Sequence, residues 1–200
     1  MTPVPLTALK DRYMPSSTPH AGWEDEELAA ACLAGHAAGW NALIEKYKGL
    51  IYSIPLRYGL SQEDAEDVFQ DVCVLLYEHL DALRDAGAVR GWLARVAANE
   101  SYRKKKGLAR VSGSETPDVP DPSGNAPEWL AESERQQMIR ERIGQLSPRC
   151  RDMVRMLFYE DPPRAYQDVA RTLGLAVGSI GFIRGRCLRQ LERLLKAAGL

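Results

Sequence analysis

Apolar residues recur at three- and four-residue intervals along most of the chain, and the phase of that recurrence divides it into helices. Trp40, Leu43, Ile44, Tyr47, Leu50, Ile51 and Ile54 form one stripe along GWNALIEKYKGLIYSIPLRYGL, which Pro55 is expected to kink. Ala65, Val68, Phe69, Val72, Leu75 and Leu76 form a second stripe along SQEDAEDVFQDVCVLLYEHLDAL. Ser61 is placed to cap that helix, and its Ser-x-x-Asp start is close to a capping box. Trp92, Leu93, Val96 and Ala97 mark the inner face of a further helix from about Val89 to Lys105. Ahead of all three, AGWEDEELAAACLAG sets acids where a helix dipole favours them and Gly35 near the end, so helix begins near Trp23. No two-residue alternation supports a strand anywhere.

Periodicity fails in two places. Residues 1–22 are proline-rich and unpatterned, which predicts a flexible arm, and GLARVSGSETPDVPDPSGNAP over 107–127 has too few apolar groups to hold a fold. The chain therefore divides into the arm, a helical domain over 23–106, an acidic flexible linker over 107–127 and a second helical domain over 128–200. In the last of these Glu128 to Leu146 looks helical, and Ser147-Pro148 starts another helix at its first turn. YQDVARTLGLAVGSIGFIRG, from Tyr166 to Gly185, then fits a helix-turn-helix. Val169, Leu173, Leu175, Ile180 and Ile183 supply the buried seam, Ala170 is small where the second helix passes, and Gly174 tolerates the left-handed turn. The fold class is all-α, two small domains on one tether, and the helix-turn-helix points to DNA.

Charge sharpens this picture because a net charge of −1 hides strong segregation. From Ser61 to Asp85 the charges are Glu63, Asp64, Glu66, Asp67, Asp71, Glu78, Asp81 and Asp85 against Arg84 alone. From Val89 to Arg110 the balance inverts, with Arg90, Arg95, Arg103, Lys104, Lys105, Lys106 and Arg110 against Glu100. Val111 to Glu134 is acidic again, and the tail returns to Arg184, Arg186, Arg189, Arg193 and Lys196. Cys32, Cys73, Cys150 and Cys187 form no close pair, so they read as small packing residues with neither a zinc site nor a disulfide indicated. The three histidines stand in no spacing that a metal or a nucleophile would use, so no cofactor, metal or enzymatic activity is expected. No apolar run reaches the twenty or so residues of a membrane span and no signal peptide opens the chain, which places it in the cytoplasm.

The motifs Trp40-Asn41-x-Leu43-Ile44-x-x-Tyr47, Asp64-Ala65-Glu66-Asp67-Val68-x-Gln70-Asp71-Val72 and Gly91-Trp92-Leu93-x-Arg95-Val96-Ala97-x-Asn99 stand in order in the first domain. Leu146-Ser147-Pro148-Arg149, Val169-Ala170, Leu173-Gly174-Leu175 and Gly178-Ser179-Ile180 follow in the second. Together they resemble the extracytoplasmic-function sigma factors, two-domain initiation subunits of bacterial RNA polymerase. The resemblance implies a region 2-like bundle joined to a region 4-like helix-turn-helix domain. It also implies two partners, core RNA polymerase and promoter DNA, with an anti-sigma factor as the common regulator and no membrane insertion.

By that resemblance Asp64, Glu66, Asp67, Gln70 and Asp71 dock the clamp helices of the polymerase's largest subunit. The following basic helix holds the displaced strand of the minus-ten element through Asn99, Tyr102, Arg103, Lys104 and Lys105, types suited to phosphates and unstacked bases. Trp92 is expected in the core, and the loop Asp85-Ala86-Gly87-Ala88 stands where the family captures a flipped base. The recognition helix reads the minus-thirty-five element through Ser179, Arg184, Arg186 and Arg189. Here the chain departs from the pattern, with Ala176 in place of a capping Ser and Gly181 and Ile183 where cations are common. The acidic linker would thread along the active-site and RNA-exit path. The different-class alternative is a stand-alone helix-turn-helix regulator whose first domain senses or dimerises.

Overall fold

In the computed structural model, residues 18–83, 88–112, 121–122 and 128–200 are described. They form eight α-helices and no strand among the described residues: α1 Asp25–Leu33, α2 Ala37–Arg57, α3 Gln62–His79, α4 Val89–Ser112, α5 Glu128–Gly144, α6 Pro148–Phe158, α7 Tyr166–Leu173 and α8 Ile180–Ala197. The chain divides into two compact units, Met1–Gln137 and Met138–Leu200.

The first unit is built as the apolar stripes dictate. Leu43, Tyr47, Leu50, Ile51 and Ile54 of α2 are fully buried, with Val68, Val72 and Leu76 of α3 and Leu93, Ala94 and Ala97 of α4 closing the core. α2 continues through Pro55 for two more residues and ends at Arg57. Ser61 caps α3 as expected: its Oγ accepts from the Asp64 N–H at 3.1 Å and donates to the Asp64 carboxylate at 2.6 Å. α1 lies so close to α2 that a Cβ on Gly39 would come 2.8 Å from the Ala31 Cβ and 3.0 Å from backbone atoms of Ala31 and Cys32. Gly39→Val is therefore expected to cost roughly 1–3 kcal/mol by overpacking, read as a lower midpoint in urea unfolding; an unchanged midpoint would show that the two helices can part freely.

Two boundaries differ from the sequence reading. The linker expected over 107–127 begins later, because α4 runs on through Gly107 to Ser112; the single glycine costs about 1 kcal/mol, and Leu108, Ala109 and Arg110 are good helix formers. The second compact unit begins at Met138 within α5 and not at Glu128. Trp129 and Leu130 pack into the first core, the Trp129 ring standing edge-on to Tyr58 with centroids 5.3 Å apart and under the Arg57 guanidinium at 5.8 Å. Gln137 Nε2 also donates to the Lys46 carbonyl at 2.8 Å. Residues 1–17, most of the acidic linker, and Asp85–Gly87 of the flipped-base loop lie outside the described residues.

The second unit has its own core of Ile143, Leu146, Met153, Val154, Val169, Ala170, Ile180 and Leu191, with Leu173, Leu175 and Ile183 packed at its margin. Gly174 takes the left-handed conformation, φ 63°, ψ 41°, and lets the Leu175 N–H reach back to the Ala170 carbonyl at 2.8 Å. A 3₁₀ turn, Val177–Ser179, leads into α8. One expectation fails here. Cys150 and Cys187, read as packing residues with no disulfide, are joined as one, with Cα atoms 5.3 Å apart. They are buried as packing residues would be. Their separation of 37 residues conceals a pairing that only the crossing of α6 and α8 creates.

Candidate polymerase and nucleic-acid interfaces

On α3 the helical period puts the apolar residues inward and leaves Glu63, Glu66, Asp67, Gln70 and Asp71 exposed, with Asp64 half-buried. Stacked carboxylates repel unless a cation answers them. Here the cation comes from α4: Lys104 Nζ lies 2.6 Å from Asp67 Oδ2 and 3.5 Å from Asp64 Oδ1. The Ser61 hydroxyl, with Lys104 beside it, holds the Asp64 carboxyl below its ordinary range, and the hydrogen bond to Asp67 lifts the Lys104 ammonium above its own. Glu66 instead hydrogen-bonds the Tyr52 hydroxyl, whose pKa rises, chiefly through desolvation and then through the adjacent carboxylate. Two residues expected at separate interfaces, Asp67 and Lys104, thus form one pair at the seam of α3 and α4.

α3 also carries apolar groups into solvent. Val74 and Tyr77 are largely exposed, Tyr77 lying 5.2 Å from the Trp40 ring, centroid to centroid. They extend the acidic face by one and two turns beyond Asp71. An exposed Tyr at the end of an otherwise regular stripe was the available sequence signal.

The α4 residues have different fates. Trp92 packs against the first core as expected, and Tyr102 lies partly buried beneath the Lys106 ammonium, 5.7 Å from its ring centroid. Arg103 is exposed but bound to Glu100 at 2.9 Å. Lys105 donates to the Gly59 carbonyl at 3.1 Å. Asn99 is half-buried, and its Oδ1 is shielded from solvent with no hydrogen-bond partner among the described residues. A shielded acceptor left unpaired costs on the order of 1–3 kcal/mol, which a donor brought by a ligand would relieve.

In the second unit Ser179 ends the 3₁₀ turn, exposed and without a capping bond. Arg186 and Arg189 are exposed. Arg184 is half-buried, hydrogen-bonded to the Tyr166 hydroxyl, and its guanidinium lies 5.7 Å from the Tyr166 ring centroid. It therefore fixes α8 to the start of α7, and its Nε is shielded without a partner. Gly178 and Gly181 face open space, and between them and Gly185 stands Phe182, 74 % exposed. Phe182 was missed in sequence because an aromatic at helical spacing reads as core; three surrounding glycines were the sign that it has nothing to pack on. An exposed Phe suits the methyl group of thymine in a major groove.

Residues 43–111 match the family model for Sigma-70 region 2, the span that contains α3, nearly all of α4 and most of α2. The ECF RNA polymerase sigma factor SigL of Mycobacterium tuberculosis is 26 % identical over 170 residues, covering 84 % of this chain and 94 % of that protein. The RNA polymerase sigma-H factor of Pseudomonas aeruginosa is 26 % identical over 190 residues, covering 87 % and 93 %. Both alignments extend well beyond the region 2 match. No helix of the described residues is long and apolar enough to cross a membrane.

Proposed function

We propose that the chain is an extracytoplasmic-function sigma factor, which binds core RNA polymerase, directs it to promoters and assists strand opening, acting in the cytoplasm without catalysing a reaction itself. The observation that carries this reading is the exposed carboxylate row of α3 set directly beside cationic α4 in the stretch matching Sigma-70 region 2. A protein that only bound DNA would gain nothing from an acidic face next to its basic one.

In this reading Glu66, Asp67, Gln70 and Asp71 form the docking face, with Asp64 behind them and Val74 and Tyr77 adding apolar contact. The same face is what an anti-sigma factor would have to cover. Asn99, Tyr102, Arg103, Lys104 and Lys105 hold the displaced strand, Asn99 by pairing its acceptor with a base donor and the cations by neutralising phosphates. Arg186 and Arg189 meet the minus-thirty-five duplex, Ser179 lies at its backbone, and Arg184 both orients α8 through Tyr166 and reaches the DNA.

The test is reconstitution with core polymerase and genomic promoter fragments. Promoter-dependent transcripts are expected; DNA binding without polymerase, and no transcripts with it, would replace this reading with a stand-alone regulator. Asn99→Ala is expected to lower permanganate reactivity of the opened strand roughly tenfold, the worth of one hydrogen bond to a shielded group, while core capture stays intact. Equal reactivity would remove Asn99 from the strand-holding surface.

A further inference from the structure

Neither polymerase binding nor promoter binding calls for a cross-link in the second unit, yet one joins Cys150 of α6 to Cys187 of α8. It lies at the centre of the second core. Cys187 is fully buried on the stripe that carries Ile180 and Leu191, and Cys150 packs with Met153 and Val154. α8 is the helix that carries Arg184, Arg186 and Arg189, so the bond ties the DNA-facing helix to the helix that supports it. Disulfides within a reducing compartment are usually transient and redox-sensing rather than structural.

The other thiols are poor competitors for this chemistry. Cys32 and Cys73 belong to the first unit, where burial pushes the Cys32 thiol up to about 12 and raises that of Cys73. Both are free thiols, whereas Cys150 and Cys187 already stand paired by the fold. Cys150 stands in the first turn of α6, between Arg149 and Arg151 in the chain.

We propose that Cys150 and Cys187 are a reversible thiol–disulfide modification site, oxidised by a low-molecular-weight disulfide, whose state sets how firmly α8 is held in its DNA-binding position. In the forward step the Cys150 thiolate attacks one sulfur of the small disulfide and displaces a small thiolate. The Cys187 thiolate then attacks the Cys150 sulfur of the mixed disulfide and displaces the second. Two protein thiols lose two protons and two electrons, and one small disulfide gains them as two small thiols. Both protein sulfurs are buried, so the exchange passes through local opening of α8 from α6. The closed bond in turn suppresses that opening, because it removes the freedom of a 37-residue loop.

The experiment equilibrates the full chain in glutathione buffers of graded ratio, followed by peptide mass analysis and hydrogen exchange. A peptide linking Cys150 to Cys187, two hydrogens lighter than the separate pair, is expected to accumulate as oxidised glutathione rises. Amides of α8 should then exchange on the order of a hundredfold more slowly, while those of α2 and α3 are unchanged. The C150A/C187A variant should exchange as the reduced chain does at every ratio, and it avoids burying a hydroxyl. No linked peptide at any ratio, equal α8 exchange in both states, or glutathione-sensitive α8 exchange in C150A/C187A would overturn the proposal. Its consequence for DNA rests on the promoter reading and fails separately: a linked peptide and slowed exchange with no minus-thirty-five footprint in either state would keep the modification site and remove α8 from promoter contact, whereas identical footprints in both states would overturn the link between the bond and the DNA-binding position.

Discussion

Reversing two charges on α3, D67R/D71R, is expected to abolish capture of the chain by core RNA polymerase in a pull-down while leaving its helical circular dichroism unchanged. Both positions are exposed on one face of α3, at the four-residue spacing that stacks them one turn apart. Among the described residues no cation pairs with Asp71, so its charge is available to a partner. Coupling of close charge pairs across an interface runs to roughly 1.5–7 kcal/mol each, and reversal replaces attraction with repulsion, so a loss of at least a hundredfold is expected. The fold should tolerate the change, since Asp67 gives up only its exposed bridge to Lys104, worth about 0–1 kcal/mol. Lys104→Ala separates the two surfaces that this bridge joins: it frees Asp67 without adding positive charge, and is expected to preserve core capture while weakening strand binding in a salt-dependent way. Undiminished co-purification of D67R/D71R would remove the acidic face from the docking surface.

What the sequence disclosed and what it hid divide along one physical line. Features set by neighbours on the same helix were legible: the Ser61 cap, the inward stripes of α2, α3 and α4, the left-handed Gly174 and the seam of Val169, Ala170 and Ile180 all follow from local period and backbone preference. Features set by residues far apart in the chain were not. The disulfide, the Lys104 bridge to Asp67 and the docking of Trp129 on Tyr58 each need the tertiary arrangement to bring the partners together. Trp129 had a signal, a large aromatic alone in a polar run. For the candidate interfaces, period identified which residues of α3 face outward, but not that Lys104 turns back to meet them or that Arg184 is bound to Tyr166.

A further long-range feature, the buried ion pair that joins α1 to α2, has the largest expected effect on stability. Asp25 Oδ1 lies 2.7 Å from Lys46 Nζ, its Oδ2 accepts from the Tyr47 hydroxyl at 2.7 Å, and Lys46 donates also to the Trp23 carbonyl at 2.9 Å. The side chains of Lys46 and Asp25 are only 6 % and 11 % exposed, so the ammonium has little water to fall back on. Asp25→Ala strands that charge, at roughly 3–5 kcal/mol, a large share of the 5–15 kcal/mol that holds a typical domain folded. At about 2–4 °C per kcal/mol for a chain of this size, the melting transition should fall by on the order of 10 °C. Because most of that cost is an uncompensated charge rather than a lost attraction, removing the charge as well should recover it. D25A/K46M is therefore expected to melt well above D25A. A double variant no more stable than the single one would mean that Asp25 acts through Tyr47 and the start of α1 instead, and Tyr47→Phe would then reproduce the loss.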